Sequence, residues 1–272
     1  MVNILRQGTI NGIIAIGMTL VILTAGIDLS VGAILALSVV ITADLLQQET
    51  AVPLAILFGL GIGGLLGLIN GLVITRFKVP PFVATLGMMT IARGLALTYT
   101  EGKPITGLPD SFRVMGTGSL GPVPYPILIA AVAFLLCFIM LKWTAFGKFI
   151  FAIGNNPVAA KYAGIAVNRY ITLVYVLAGS LAALAGMILV ARLDSAQPTV
   201  GLGYEFDAIA AVVVGGTSFA GGEGGIGGTL LGVLIIAVLN NGLNLLNVSS
   251  FYQPVVSGAV IAIALLLHRA LR

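Results

Sequence analysis

The sequence predicts an all-α polytopic membrane protein with about nine membrane segments, one of them short or re-entrant, and with helices that break inside the bilayer. Three observations carry this. Hydrophobic residues make up 59% of the 272 and charged residues only 8%, where an average soluble domain carries about 25% charged. Mean hydropathy is +1.14. Uncharged runs extend over 7–27, 50–75, 114–141, 170–191 and 224–268, each at or beyond the ~20 residues that carry a helix across hydrocarbon. At that length in lipid only a helix satisfies its own backbone groups.

The runs resolve into segments near 10–25, 31–46, 52–74, 82–100, 126–141, 171–191, 207–216, 228–246 and 254–268. Between the first two, Gly26 and Gly32 bracket Asp28 and Ser30, which can cap the second helix; a break there also suits a discontinuous helix beside a solute path. The third segment carries Gly61-Ile62-Gly63-Gly64, then Asn70-Gly71 and Val79-Pro80. The eighth opens on Gly225-Ile226-Gly227-Gly228, then Asn241-Gly242 and Gln253-Pro254. This is a faint repeat whose copies run in opposite directions, the pattern of inverted-repeat transporters, although glycine-rich membrane helices also look alike because small residues allow close packing. The fifth segment holds the only cysteine, Cys137, so no intrachain disulfide is possible and the thiol reads as core packing. A polar connector from Asp194 to Asp207 enters the seventh segment, which stops at Gly215-Gly216 and is too short to cross alone. In the eighth, Asn240 and Asn244 share one helical face beside Asn241; amides in a span either join helices or line a wet path. Candidate residues for a broken helix or a translocation path are thus Asp28, Ser30, Asn70, Asp207, Asn240, Asn241 and Asn244.

An odd number of segments puts the termini on opposite sides, and the tail His268-Arg269-Ala270-Leu271-Arg272 argues for a cytoplasmic C-terminus. Arg76, Lys78, Lys142, Lys148, Lys161 and Arg169 then fall inside, and Asp44, Glu49, Glu101, Asp110, Asp194 and Glu205 outside. Residues 1–9 lack the basic run of a cleavable signal peptide. The net charge of +4 is explained by membrane orientation and implies no nucleic-acid partner.

The longest inner loop, 142–170, carries Lys142, Lys148, Lys161 and Arg169 and no acid. A short helix is written into its centre. Asn156 can cap it, Pro157 suits its first position, and Gly164 can end it. A helix held outside the bilayer is not needed for spanning, so the segment reads as a docking site for a cytosolic partner; an ordinary well-capped loop is the plain alternative.

Several chemistries are excluded. No Gly-x-x-x-x-Gly-Lys-Ser/Thr phosphate cradle exists: Gly102-Lys103 is followed by Pro104, and Leu97 stands where glycine is needed. The single histidine, His268, stands near the chain end, and no metal-spaced cluster or nucleophile triad is present. The chain reads as a transport subunit rather than an enzyme, with no cofactor.

The segment Ala191-Arg192-Leu193-Asp194-Ser195-Ala196-Gln197-Pro198 with Gly203-Tyr204-Glu205, then Asp207-Ala208-Ile209-Ala210-Ala211-Val212-Val213-Val214-Gly215-Gly216-Thr217-Ser218, resembles the permease subunits of bacterial ATP-binding-cassette importers for pentoses and hexoses, above all ribose. So do Gly17-Met18-Thr19-Leu20-Val21-Ile22-Leu23-Thr24, Gly26-Ile27-Asp28-Leu29-Ser30-Val31-Gly32 and Asn240-Asn241-Gly242-Leu243-Asn244-Leu245-Leu246. The resemblance covers essentially the whole chain. It implies a single permease domain over 1–272 in the bacterial inner membrane, working as a homodimer with a cytoplasmic ATPase subunit and a periplasmic sugar-binding protein. It makes 145–169, within the 142–170 loop, the ATPase-coupling segment, where Asn155, Asn156, Ala159, Ala160, Gly164, Ile165 and Val167 match the family's pattern; with Pro157 and Lys161 of the capped helix, the candidate coupling residues are Asn155, Asn156, Pro157, Ala159, Ala160, Lys161 and Gly164. It also implies that relatives carry one further membrane helix before the first one here. An ion-coupled secondary transporter, with Asp28 and Asp207 titrating, and a non-transporting scaffold are the alternatives that the residues leave open.

Overall fold

The computed structural model describes residues 2–248 together with 252, 255, 256, 258–260 and 262. Within them the chain forms α1 (Val2–Leu23), α2 (Val31–Gln47), α3 (Val52–Arg76), α4 (Pro81–Thr100), α5 (Asp110–Thr117), α6 (Tyr125–Trp143), α7 (Ala145–Asn155), α8 (Pro157–Tyr162), α9 (Val167–Leu193), α10 (Tyr204–Val214) and α11 (Ile226–Leu245). Proline stands in the first turn of α3, α4, α6 and α8, where its missing N–H lacks an intrahelical partner in any case. Two antiparallel pairs of two-residue strands, Ile105–Thr106 with Ser195–Ala196 and Ser119–Leu120 with Val123–Pro124, tie loops together at one end.

Five helices, α3, α4, α6, α9 and α11, are long and apolar enough to cross a membrane. The apolar part of α1, 8–23, and α2 are shorter, yet the 17 residues of α2 still rise ~25 Å and are buried over most of their length. The expected ninth segment, 254–268, and the basic tail lie largely outside the described residues. The sequence reading also missed two helices. The loop after α4 contains α5, and the first half of the 142–170 loop is not a polar connection but α7, whose Ile150 and Ile153 are buried against the bundle. α9 begins at Val167, four residues earlier than the expected 171.

The bundle is organised around α9. In its most hydrophobic stretch 67% of residues are buried, against 22–28% in α3, α4, α6 and α11. The outer helices instead expose Leu57, Leu65, Ile91, Leu135, Leu136 and Leu231, the surface that hydrocarbon solvates. Because lipid tails are as apolar as leucine, helices associate in lipid through close packing. The seam between α3 and α9 shows how close. A Cβ on Gly63 would meet the carbonyl oxygen of Gly179, one on Gly67 the carbonyl of Tyr175, and one on Gly71 the Cα of Thr172. These pairings also show that α3 and α9 are antiparallel. Gly17 of α1 lies against Ala178 of α9, and Gly8 and Gly12 of α1 against Ala237 and Val233 of α11. α1 and α3 therefore run one way, α9 and α11 the other. The two glycine-rich segments read as a repeat, α3 and α11, are thus oppositely directed.

One end of the bundle is closed by polar ties: Arg6 Nη2 donates to Gly116 O (2.8 Å), Arg93 Nη1 to Pro198 O and Val200 O (2.7 and 2.8 Å), and Leu108 N to Asp194 Oδ1 (2.9 Å). α7, α8 and the loop 215–225 lie at the opposite end.

Gly67→Val should disrupt the α3–α9 seam, at about 1–3 kcal/mol or more for forced overpacking, whereas Gly61→Val, where an added Cβ meets nothing within 4 Å, should be tolerated. Membrane yield and the thermal midpoint in detergent, read by size-exclusion profile, separate the two; equal behaviour would mean the seam does not organise the bundle.

Candidate functional site

The break between α1 and α2 is held by two polar side chains, Asp28 and Ser30. Asp28 is fully buried, and its Oδ1 accepts from Ser30 N (2.8 Å) and Ser30 Oγ (2.5 Å). Ser30 Oγ accepts from Asn70 Nδ2 of α3 (2.9 Å). Capping occurs differently from the expectation. Ser30 is the N-cap residue, but its hydroxyl makes no cap hydrogen bond; it turns back to Asp28 and sideways to Asn70, so the cluster ties the break to α3 rather than satisfying the first amides of α2. Tyr175 of α9 and Thr85 of α4 reach Ile27 O (both 3.4 Å), so α3, α4 and α9 all meet the joint between α1 and α2. Asp28 Oδ2 has no hydrogen-bond partner among the described residues.

A second polar group forms elsewhere. Asn11 of α1, Arg192 of α9, Tyr204 and Asp207 of α10, and Asn240 and Asn244 of α11 line one cavity of about 220 Å³. Asn11 Nδ2 donates to Asp207 Oδ2 (3.2 Å). Asn240 Oδ1 is buried without a partner among the described residues. The structure therefore brings Asp207, Asn240 and Asn244 together, keeps Asp28, Ser30 and Asn70 as a separate cluster, and leaves Asn241 outside the cavity lining. Sequence reasoning missed Asn11, Arg192 and Tyr204. Asn11 carried the same signal as Asn70, a lone amide in an otherwise apolar span; Arg192 and Tyr204 flank spans and needed the fold to turn them inward. A third polar contact, Thr19 Oγ1 to Thr229 Oγ1 (2.7 Å), joins α1 to α11.

At the α7–α8 end, Asn156 accepts from Val158 N (3.0 Å) and Ala159 N (2.9 Å), as its position before Pro157 predicts. α8 closes with Gly164 at φ +84, Gly164 N bonded to Lys161 O and Ile165 N to Ala160 O (both 3.0 Å). That paired arrangement is the one a left-handed glycine supplies at a helix end. Asn155, Asn156, Pro157, Ala159, Lys161 and Gly164 are exposed, with Val158 (62%) and Tyr162 (87%) the large apolar groups among them. Ala160 differs from its neighbours: at 4% exposure it packs inward.

α7 is clamped to the bundle. A Cβ on Gly154 would fall on Leu23 O and Gly222 N; Gly222 N donates to Leu23 O (3.0 Å), and Asn155 Nδ2 donates to Gly222 O (3.3 Å). Gly222 belongs to the loop joining α10 to α11, the two helices that supply most of the polar cavity wall.

A lipid-facing helical bundle that encloses polar side chains and carries a capped helix beyond its spans is a polytopic membrane protein. The chain belongs to the family described as the branched-chain amino acid transport system / permease component, which matches residues 1–265. It is 56% identical over 269 residues to the ribose import permease protein RbsC of Bacillus subtilis (strain 168), covering 98% of this chain and 84% of that one. It is 49% identical over 268 residues to the ribose import permease protein RbsC of Escherichia coli (strain K12), covering 97% and 84%. The galactose/methyl galactoside import permease protein MglC of Haemophilus influenzae is 40% identical over 281 residues, covering 96% and 84%. No solved structure matches the chain.

Asp28→Asn keeps the acceptor oxygen that holds Ser30, so its membrane yield and thermal midpoint should stay near those of the parent protein. Asp28→Ala leaves the Ser30 amide and the Ser30 hydroxyl proton without their acceptor and should lose about 1–3 kcal/mol. Equal losses in the two variants, measured by thermal unfolding in detergent, would show that the hydrogen bonds to Oδ1 are not what holds the joint.

Proposed function

We propose that this chain is the membrane permease subunit of an ATP-driven importer that carries a monosaccharide, D-ribose foremost, across the bacterial inner membrane. The observation that carries the reading is the near-full-length identity with import permeases named for ribose, at 56% and 49%, above the 40% with the galactose permease. ATP hydrolysis belongs to a partner chain, since this sequence lacks a phosphate cradle. The working unit is a homodimer with a cytoplasmic ATPase subunit, and a periplasmic binding protein delivers the sugar.

In this reading α8 is the docking element, with Val158, Lys161 and Tyr162 meeting the ATPase around the small surface of Ala159. Motion of α7 and α8 passes through Asn155 and Gly154 to Gly222 and Leu23, and from there to α10, α11 and the α1–α2 joint. A rigid lever acting on a two-state bundle is sufficient for alternating access. The cavity at Asn11, Arg192, Tyr204, Asp207, Asn240 and Asn244 is the polar stretch of the path. Amides supply both donors and acceptors to hydroxyls, and the carboxylate accepts. Its 220 Å³ corresponds to roughly seven waters at about 30 Å³ each, the scale of a small polyol. An ion-coupled mechanism finds less support: Asp28, one of its two titrating groups, is enclosed with Ser30 and Asn70 in a cluster apart from Asp207.

Proteoliposomes containing this chain, an ATPase subunit and a ribose-binding protein should take up labelled ribose only with ATP inside, and a protonophore should leave the rate unchanged. Uptake without ATP that the protonophore abolishes would overturn the reading. Val158→Asp with Tyr162→Asp should preserve membrane yield, abolish co-purification with the ATPase subunit and reduce uptake at least tenfold; normal association would remove α8 from the docking role.

A further inference from the structure

A second groove opens where α3 ends and α9 begins. It has a volume of about 790 Å³ and is lined by Leu72, Thr75, Arg76, Lys78, Asn168, Arg169 and their neighbours Tyr170 and Leu173. Three features set it apart from an ordinary basic loop. Its three cations converge from the end of α3, the connection after it and the start of α9 into one concavity, and none of them makes an ion pair among the described residues. The stretches 50–100 and 111–193, which contain the whole lining, hold no aspartate or glutamate. The groove also sits at the ends of two long spans, α3 of 25 residues and α9 of 27, so it lies at the boundary between hydrocarbon and water whichever way the chain faces.

The lining changes character with depth. Arg76, Lys78 and Arg169 stand at the outer rim, while Leu72 and Leu173, both exposed (40% and 47%), lie about 6 Å further into the membrane along their helices. Thr75, whose hydroxyl meets that of Thr172 (3.3 Å), joins the two walls. Tyr170 is fixed from behind by Phe146 and Phe149 of α7, at ring separations of 5.7 and 5.1 Å. Guanidinium groups bind phosphate oxygens in pairs, and an ammonium adds a point charge. A free anion would use the rim and leave the apolar wall unused. A molecule with a phosphodiester head and an acyl tail uses both. We infer that the groove between α3 and α9 is a binding site for an anionic phospholipid, with the phosphodiester on Arg76, Lys78 and Arg169 and an acyl chain along Leu72 and Leu173.

The test uses the intact chain purified in mild detergent, stripped of native lipid, and presented with phosphatidylglycerol or phosphatidylcholine. Native mass spectrometry reads bound lipid, and the thermal midpoint reads stabilisation. Phosphatidylglycerol should be retained on the order of tenfold or more over phosphatidylcholine, as three basic residues near a lipid surface supply, and should raise the midpoint. The Arg76→Gln, Lys78→Gln, Arg169→Gln variant should lose the preference, while Lys142→Gln with Lys148→Gln, outside the groove, should keep it. An unchanged preference in the triple variant overturns the proposal. Displacement of phosphatidylglycerol by millimolar inorganic phosphate would mark a free-anion site and overturn it, as would full displacement by the ATPase subunit, which would mark a protein-docking surface. None of these outcomes depends on which solute the protein carries.

Discussion

The close approach of α3 and α9 is the constraint on which the rest of the structure depends. Two helices surrounded by lipid gain little from burying leucine, because hydrocarbon already solvates it; they gain by bringing backbones near enough for dense packing. Gly59, Gly63, Gly67 and Gly71 repeat every fourth position along α3, and each would place a Cβ against an atom of α9 or α2. Once α9 is held there, Tyr175 stands at the α1–α2 joint, Arg192 reaches the polar cavity, and Arg169 meets Arg76 at the basic groove.

Polar groups in lipid are costly unless partnered, and the bundle handles its two groups differently. Asp28, Ser30 and Asn70 are stacked donor to acceptor with little room left, a joint that fixes where a helix breaks. Asn11, Asp207, Asn240 and Asn244 instead surround a cavity, with an amide oxygen of Asn240 left unpartnered among the described residues. Each group leaves one buried acceptor without a partner among the described residues, Asp28 Oδ2 in the first and Asn240 Oδ1 in the second; what separates them is that only the second surrounds a cavity.

The loop from Gly215 to Gly225 connects these regions to the end bearing α7 and α8. Its glycines are needed where backbones touch: Gly222, at φ +72, lies against Asn155 and bonds to Leu23 at the end of α1. One short loop thus touches the α7–α8 end, the joint and both α10 and α11 of the polar cavity. The basic groove borders the same end through Tyr170, which packs on Phe146 and Phe149 of α7.

The sequence by itself determined the class. Apolar runs of spanning length, glycines at packing intervals and isolated polar residues inside spans all act locally, through hydrogen-bond satisfaction of a helix in lipid, and they are legible without a fold. The α8 helix was legible for the same reason, since Asn156, Pro157 and Gly164 act within a single turn of chain. What failed to show were the features that depend on neighbours distant in sequence. α7 looked like part of a polar loop until its isoleucines found the bundle. Ala160 sits on the same short helix as exposed Ala159 and Lys161, and only the fold turns it inward. Asp28 looked like a cap until Asn70, some forty residues away, drew Ser30 aside. Asn11 and Arg192 came to share a cavity with Asp207 and Asn240 only because four helices converge there. Periodicity and capping are written along the chain, whereas which polar groups share a space is decided by how helices pack, and only the tertiary structure settles that.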